Sequence, residues 1–277
     1  MRLGAPLFTP VQDPQSWIAA LQAKGYRAAY CPLKPGTDLA AIEVYRRAAR
    51  ANDIVIAEVG AWSSPFSPDA AVRAAALEKI KSSLDLADRI GARCCVNIAG
   101  SRGERWAGPS PLDLLDETFD MIVELTRAIL NEVQPTRTYF TLEAMPAMFP
   151  DSAESYLRLI HAIDHPRFAV HFDPANLVNC PQRYYNTGAL IADFVAKLGP
   201  YIRSCHIKDV LIGNDALVHI DEVRPGLGTL DHATLLRQLQ PLDPELPIML
   251  EHLPNEAEYD LAAAHLRSVA AQIGEKL

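Results

Sequence analysis

The chain has 277 residues, of which 49% are hydrophobic and 22% are charged, and its formal net charge is −8. This composition is typical of a globular protein with an ample core and excludes a disordered or collagen-like chain. The acidic balance disfavours a nucleic-acid-binding protein, which usually presents a basic surface. No uninterrupted apolar run approaches the roughly 18 residues of a membrane span, so no membrane association is expected.

The cysteines and the first residues bear on the compartment. Five cysteines contain no CxxC pair, which argues against both a disulfide framework and a zinc ribbon. The first apolar run is short and interrupted by proline, unlike the core of a signal peptide. These features predict a cytoplasmic protein with free thiols.

Eight short apolar segments alternate with longer segments of helical periodicity. The segments are rich in Val, Ile, Phe and Tyr and are often apolar on both faces, which is typical of buried parallel strands. The predicted strands span residues 2–7, 27–31, 54–58, 93–98, 138–143, 168–173, 202–207 and 247–251. The predicted helices span residues 14–24, 38–51, 68–90, 112–131, 152–163, 187–198, 231–240 and 255–273.

Capping residues support these helix boundaries. Asp13 before Pro14, Asp38, and Asp231 each precede a helical segment, and Asp151 or Ser152 opens another. Glycines stand where three helices should end, at Gly25, Gly91 and Gly199.

Strand–helix alternation of this kind requires a parallel sheet with right-handed crossovers. Eight such units predict an α/β fold, a (β/α)8 TIM barrel that forms a single domain over residues 1–277. The competing doubly wound sheet should carry a glycine-rich first turn, but the residues after the first strand read Phe8-Thr9-Pro10-Val11.

Four residues with metal-binding side chains stand at the ends of the last four predicted strands. They are Glu143 in TYFTLEAMP, Asp173 in FAVHFDPAN, His206 in IRSCHIKD and Glu251 in PIMLEHLP. In this fold, the carboxyl ends of the strands meet at one mouth of the barrel. Three carboxylates that converge there would repel one another, and a divalent cation relieves that repulsion. A site of three carboxylates and one imidazole favours Mn²⁺, with Mg²⁺, Co²⁺ or Fe²⁺ as alternatives.

The ordered signature LE, FDPAN, CHIKD and LEH resembles the sugar phosphate isomerase/epimerase superfamily with the xylose isomerase-like TIM barrel. The resemblance covers essentially the whole chain. It implies that Glu143, Asp173, His206 and Glu251 bind one divalent metal ion, and that Glu143 and Glu251 are the catalytic acid and base. It also leaves a homo-oligomer open.

Two positions depart from the ketose 3-epimerases of that superfamily. Those enzymes often carry a histidine where this chain has Asn176, and an arginine where it has Ile212. Both groups normally hold substrate oxygens, so an epimerase of free ketohexoses is disfavoured. The Lys208-Asp209 pair resembles members that include isomerases of keto-inositols and dehydratases of keto-polyols.

Further candidates for substrate contact lie beside the proposed ligands or at other strand ends. Each has a structural alternative: Lys208 could pair with Asp209, His171 could be a packed core histidine, and the run 224–229 could be a simple turn instead of a phosphate site. The complete set is Glu58, Asn97, Asn176, Lys208, His171 and Arg224.

The leading hypothesis is a metal-dependent isomerase or epimerase of a small sugar or keto-polyol, phosphorylated or not, that works through an enediolate with two glutamates as acid and base. The alternative is a lyase that shares the first proton abstraction and then eliminates a β-substituent. An abasic-site endonuclease shares the barrel, but the net charge and the scarcity of suitable histidines disfavour it. A non-catalytic sugar-binding barrel is the remaining alternative.

Overall fold

Eight parallel strands form one continuous sheet that curves into a barrel, in the order β1-β10-β7-β6-β5-β4-β3-β2. The computed structural model describes residues 1–277. The barrel strands are β1 (Arg2–Gly4), β2 (Ala28–Tyr30), β3 (Val55–Gly60), β4 (Cys94–Asn97), β5 (Tyr139–Glu143), β6 (Phe168–Phe172), β7 (Ile202–Ile207) and β10 (Pro247–Leu250). The predicted TIM barrel is confirmed, because all eight predicted strands are present in parallel register.

The seam between β1 and β2 is the least regular part of the barrel. Their contact rests on a hydrogen bond that the Arg27 amide donates to the Leu3 carbonyl, at 3.0 Å. A Cβ on Gly4 would lie only 2.4 Å from the Ala28 carbonyl oxygen. Glycine at this position therefore allows the two strands to approach and close the barrel.

Helices pack around the outside of the barrel and bury their apolar faces against it. Every predicted helix is present, although the fourth begins at Asp116 because residues 111–115 form turns. The helices are α1 (Pro14–Ala23), α2 (Leu39–Ala51), α3 (Ala70–Ile90), α4 (Asp116–Val133), α5 (Ala153–Ile163), α6 (Pro181–Tyr184), α7 (Thr187–Leu198), α8 (His232–Leu239) and α9 (Glu256–Gln272). No helix combines the length and the apolar character that crossing a membrane would require.

The predicted caps form as expected. Asp13, Asp38 and Asp231 each accept a hydrogen bond from an amide of the first helical turn, and Ser152, not Asp151, caps α5. Gly91 ends α3 in the left-handed conformation. Gly199 differs from the prediction: its φ is −45°, and the chain continues through a 3-10 turn at Gly199–Tyr201 into β7.

The long connection between β7 and α8 contains an element that the strand–helix pattern did not predict. Strands β8 (Asp209–Ile212) and β9 (Ile220–Val223) form an antiparallel hairpin that is separate from the barrel sheet. The hairpin follows directly on His206 and Lys208, so it stands at the mouth where the predicted ligands converge. Glu222 of β9 lines the cavity at that mouth.

Candidate functional site

The four predicted metal ligands meet at the carboxyl ends of β5, β6, β7 and β10. Glu143 is the last residue of β5, His206 lies near the end of β7, and Asp173 and Glu251 follow β6 and β10 directly. One ligand atom from each residue can be chosen so that all four lie within 4.8 Å of one another. Asp173 and His206 are completely buried, and the side chains of Glu143 and Glu251 are 6% and 11% exposed. These four side chains therefore form one compact, shielded cluster.

The environment of the His206 ring is one that a metal ion would fit. Its Nε2 lies 3.1 Å from Glu58 Oε1, while its Nδ1 lies 3.1 Å from Glu143 Oε1 and 2.8 Å from Glu251 Oε1. If Nε2 carries the proton and donates to Glu58, the Nδ1 lone pair faces two carboxylate oxygens. A divalent ion between these groups would satisfy all of them, so the donor set fits a metal.

Two carboxylate atoms of the cluster support the same conclusion. Asp173 Oδ2 and Glu251 Oε1 are buried, and although both lie close to the Lys208 ammonium group, neither accepts a hydrogen bond of acceptable geometry. Buried carboxylate oxygens normally have such partners or bind a metal ion.

Glu58 and His171 lie beneath the cluster and do not reach the cavity. The Ser204 hydroxyl lies 3.1 Å from Glu58 Oε2, to which it donates, and 2.8 Å from His171 Nδ1. Glu58, His171 and His206 are themselves close enough to hold an ion. However, the ligand atom that His206 would offer them is the Nε2 that pairs with Glu58, so this layer is better described as the support of the His206 ring.

Lys208 points into the site and does not pair with Asp209. Its ammonium group lies 2.6 Å from Glu251 Oε1 and 2.8 Å from Asp173 Oδ2, and the residue is only 3% exposed. Asn176 lies beside it: the Asn176 amide is 3.3 Å from Glu143 Oε1 and its oxygen is 3.4 Å from the Lys208 ammonium. Both residues line the cavity at the barrel mouth.

The two glutamates have different proton affinities. Burial raises the pKa of Glu143 to about 7, although the charges of Lys208 and His206 act in the opposite direction. Burial acts on Glu251 as well, but His206 and Lys208 outweigh it and hold the pKa of Glu251 below its ordinary value. A bound cation would lower the pKa of both carboxyl groups.

The pKa values of the two buried histidines, His206 and His171, are also shifted in opposite directions. Burial disfavours a charged His206, but Glu58 and Glu251 outweigh it and raise the pKa of the ring. Burial, together with the neighbouring His206, lowers the pKa of His171 to about 3, so this ring is neutral at neutral pH. His206 must therefore give up a proton when a metal ion binds at Nδ1.

Residues 17–269 match the family model described as the xylose isomerase-like TIM barrel. The chain belongs to this family. Membership is consistent with the sugar phosphate isomerase/epimerase superfamily that the signature resembles. No functionally curated protein resembles the sequence closely enough to count as a relative.

Several solved structures share the fold along nearly their whole length. A 3-keto-D-glucoside 4-epimerase from E. coli is 17% identical with a TM-score of 0.68, over 97% of this chain and 99% of that one. The probable 3-DHS dehydratase involved in petrobactin synthesis from Bacillus anthracis is 16% identical with a TM-score of 0.69, over 96% and 97%. A xylose isomerase-like TIM barrel protein from Mycobacterium smegmatis, in complex with magnesium, is 16% identical with a TM-score of 0.65, over 95% and 90%. Identities this low establish the fold alone.

Besides Glu58 and His171, two further predicted substrate contacts lie outside the cavity of this family member. Asn97 holds the loop after β3, since its side chain exchanges hydrogen bonds with the backbone of Ser63 at 2.9 and 3.2 Å. Arg224 pairs through Nε with Glu258 at 2.8 Å. Neither side chain lines the cavity, because each is held by a partner outside it.

The glycine run near Arg224 does not present free amides to a phosphate. The Asp209 carboxylate accepts hydrogen bonds from the amides of Gly226, Gly228 and Leu230, at 2.9, 3.1 and 2.8 Å. Asp209 is 1% exposed and fills the position that an anion would take. The turn interpretation of this run is therefore the one that fits the structure.

Most residues of the cavity wall were not predicted from the sequence. Tyr30, Trp62 and Tyr259 line the cavity together with the predicted residues Glu143, Asn176, Lys208 and Glu251. The signal that could have identified Tyr30 and Trp62 is their place at or just after the ends of β2 and β3, which face the same mouth.

Proposed function

We propose that the protein is a divalent-metal-dependent enzyme that isomerises or epimerises a small keto-sugar or keto-polyol. The observation that carries this proposal is the buried cluster of Glu143, Asp173, His206 and Glu251 at the mouth of the barrel. These four residues would hold the ion, and Mn²⁺ suits three carboxylates and one imidazole best. When bound, such an ion supplies positive charge that acidifies a C–H bond next to a carbonyl group.

The two glutamates would divide the proton transfers between them. Glu251, held ionised by His206 and Lys208, would accept the proton from the substrate carbon and leave an enediolate. Glu143 would deliver a proton, taken up from solvent, to the enediolate. Lys208 and Asn176 face the same cavity and would hold the substrate oxygens.

The test of this proposal is a solvent-exchange screen. Keto-sugars, keto-inositols and their phosphates are incubated with the Mn²⁺-loaded protein in D₂O, and mass spectrometry detects incorporation of one deuterium. Glu143→Gln should lower the exchange rate by about 10²–10⁴-fold. Absence of exchange into every compound of the panel would contradict the enolising mechanism.

The metal itself is tested separately. The purified protein should contain about one divalent ion per chain, and His206→Ala should remove it because the central ligand is lost. His161→Ala, on the exposed face of α5, is the matched control and should keep the ion. Full metal content in His206→Ala would show that the ligand set is wrong.

The second candidate is a lyase, favoured by the position of Lys208. Its ammonium group lies beside Glu251 and lines the cavity, so it could protonate a leaving group while Glu251 takes the proton from carbon. The enediolate would then lose a β-substituent instead of regaining a proton. The lyase and the isomerase are distinguished by ultraviolet absorbance, since only elimination creates an enone.

A further inference from the structure

The cavity at the barrel mouth has two chemically different halves. The proposed metal ligands come from β5, β6, β7 and β10, which are consecutive in the sheet. The other four strands, β1 to β4, are also consecutive and form the opposite wall together with α1 and α2. The first four strand–helix units contribute no charged side chain to the lining of the cavity.

Five aromatic side chains line this uncharged half, among aliphatic and small residues. Trp17 of α1 and Tyr45 of α2 pack with their ring centroids 5.7 Å apart, and both line the cavity. Tyr30, Trp62 and Trp106 line it as well. The Tyr30 hydroxyl already donates a hydrogen bond to the Leu250 carbonyl at 3.1 Å, so even this polar group is partly satisfied.

The size of the cavity exceeds what the proposed chemistry needs. Its volume is about 1050 Å³, at the upper end of the range for pockets that bury drug-sized ligands. A free keto-sugar would fill only the part near Glu143, Glu251 and Lys208. A second polyol ring in the uncharged half would leave its hydroxyl groups without enough partners, which costs free energy.

We infer that the substrate is a keto-sugar or keto-polyol that carries an apolar, aromatic substituent, and that the uncharged half of the cavity binds this substituent. The inference rests on the proposed function, because the keto-polyol end would occupy the metal-binding half. The two halves form one continuous cavity, so a single ligand can span both. Aromatic walls at Tyr45, Trp62 and Trp106 would contact the flat apolar group.

Binding can be measured without any reaction. All three tryptophans of the chain, Trp17, Trp62 and Trp106, line this cavity, so intrinsic fluorescence reports on its occupancy. Phenyl β-D-glucoside and methyl β-D-glucoside, which lack the carbonyl group, are titrated into the Mn²⁺-loaded protein. The phenyl compound should bind at least about tenfold more tightly, since it buries more apolar surface. Equal affinities, or no fluorescence change with either compound, would overturn the inference.

A matched pair of variants locates the effect. Val11 lines the uncharged half, whereas Val44 of α2 is 51% exposed and does not line the cavity. Val11→Phe should reduce the preference for the phenyl compound at least about fivefold and leave the methyl compound unchanged. Val44→Phe should change neither. A preference that survives Val11→Phe would overturn the assignment to this half of the cavity.

Exchange measurements separate this inference from the proposed function. The 3-keto derivatives of both glucosides are compared for deuterium incorporation in D₂O, and the phenyl derivative should have the higher kcat/KM. Equal kcat/KM values would overturn the inference while the enolising function stands. Exchange into neither compound would contradict the proposed function for this substrate class. If the fluorescence still showed the preference for the phenyl compound, the assignment of the uncharged half to an aromatic substituent would stand.

Discussion

We propose that the carboxylate of Glu58 supports the metal site through the His206 ring. It lies 3.1 Å from His206 Nε2 and is 1% exposed, and the Ser204 hydroxyl holds its other oxygen. A carboxylate in this position keeps the proton on Nε2 and leaves Nδ1 free for a metal ion. Glu58 was predicted as a substrate contact, but it lies under the cluster and does not line the cavity, which favours a positioning role.

We therefore expect Glu58→Gln to lower the affinity for Mn²⁺ by about 10–100-fold while every proposed ligand remains in place. The amide can still accept the hydrogen bond, but the negative charge that favours the correct ring orientation is lost. Isothermal titration calorimetry of the metal-free protein measures the change. An unaltered dissociation constant would show that Glu58 does not support the metal.

The raised pKa of Glu143 leads us to expect that metal binding depends on pH. Its pKa of about 7 means that the side chain is largely protonated below pH 7 and must lose that proton to become a ligand. The affinity for Mn²⁺ should therefore fall as the pH decreases below 7, by up to about tenfold per pH unit for this group. Calorimetry between pH 5.5 and 8.5 checks the slope. In Glu143→Gln the decrease below pH 7 should become shallower, because one proton fewer is displaced.

The loop before α8 owes its shape to the first residue of β8. Asp209 follows Lys208 directly, yet the two side chains point to different environments: Lys208 faces the cluster, and Asp209 accepts the amides of Gly226, Gly228 and Leu230. Gly228 approaches so closely that an added Cβ would lie 2.2 Å from the Val210 carbonyl oxygen. The hairpin and the loop are thus built around one buried carboxylate.

Asp209→Ala should destabilise the fold by about 2–4 kcal/mol, because several buried amides lose a charged acceptor together. Urea unfolding followed by circular dichroism measures the loss. Asp215→Ala, at an exposed position in the turn of the same hairpin, is the control and should change the stability by less than about 0.5 kcal/mol. A similar loss in both variants would contradict the role given to Asp209.

Closure of the whole barrel depends on a close approach at one seam. Besides the Ala28 carbonyl oxygen at 2.4 Å, the Sδ atom of Met249 would lie 2.7 Å from a Cβ on Gly4. The backbone carbonyl cannot move away without widening the space between β1 and β2. Since the uncharged half of the cavity begins at these two strands, the seam affects both the stability of the fold and the shape of the cavity.

Gly4→Ala should lower the free energy of unfolding by about 1–3 kcal/mol, in the range typical of overpacking. Gly213→Ala is the control, because its added Cβ would make only ordinary contacts at 3.7 Å and the residue does not need a positive φ. Thermal unfolding compares the two variants. Equal stability of Gly4→Ala and the parent protein would show that the seam has room to spare.

The barrel and the four clustered side chains could be predicted from the sequence because each depends on local patterns. The alternation of apolar strands with capped helices requires a parallel barrel, and an inward-pointing residue at a strand's carboxyl end lies at its mouth. Glu143, Asp173, His206 and Glu251 therefore converge wherever the loops run. The positions of the Arg224 and Asn97 side chains could not be predicted, because long or amide side chains choose among several partners in space. The uncharged wall depends on how α1 and α2 pack beside the first two strands, and only the folded chain brings Trp17 and Tyr45 into the same cavity as Glu251.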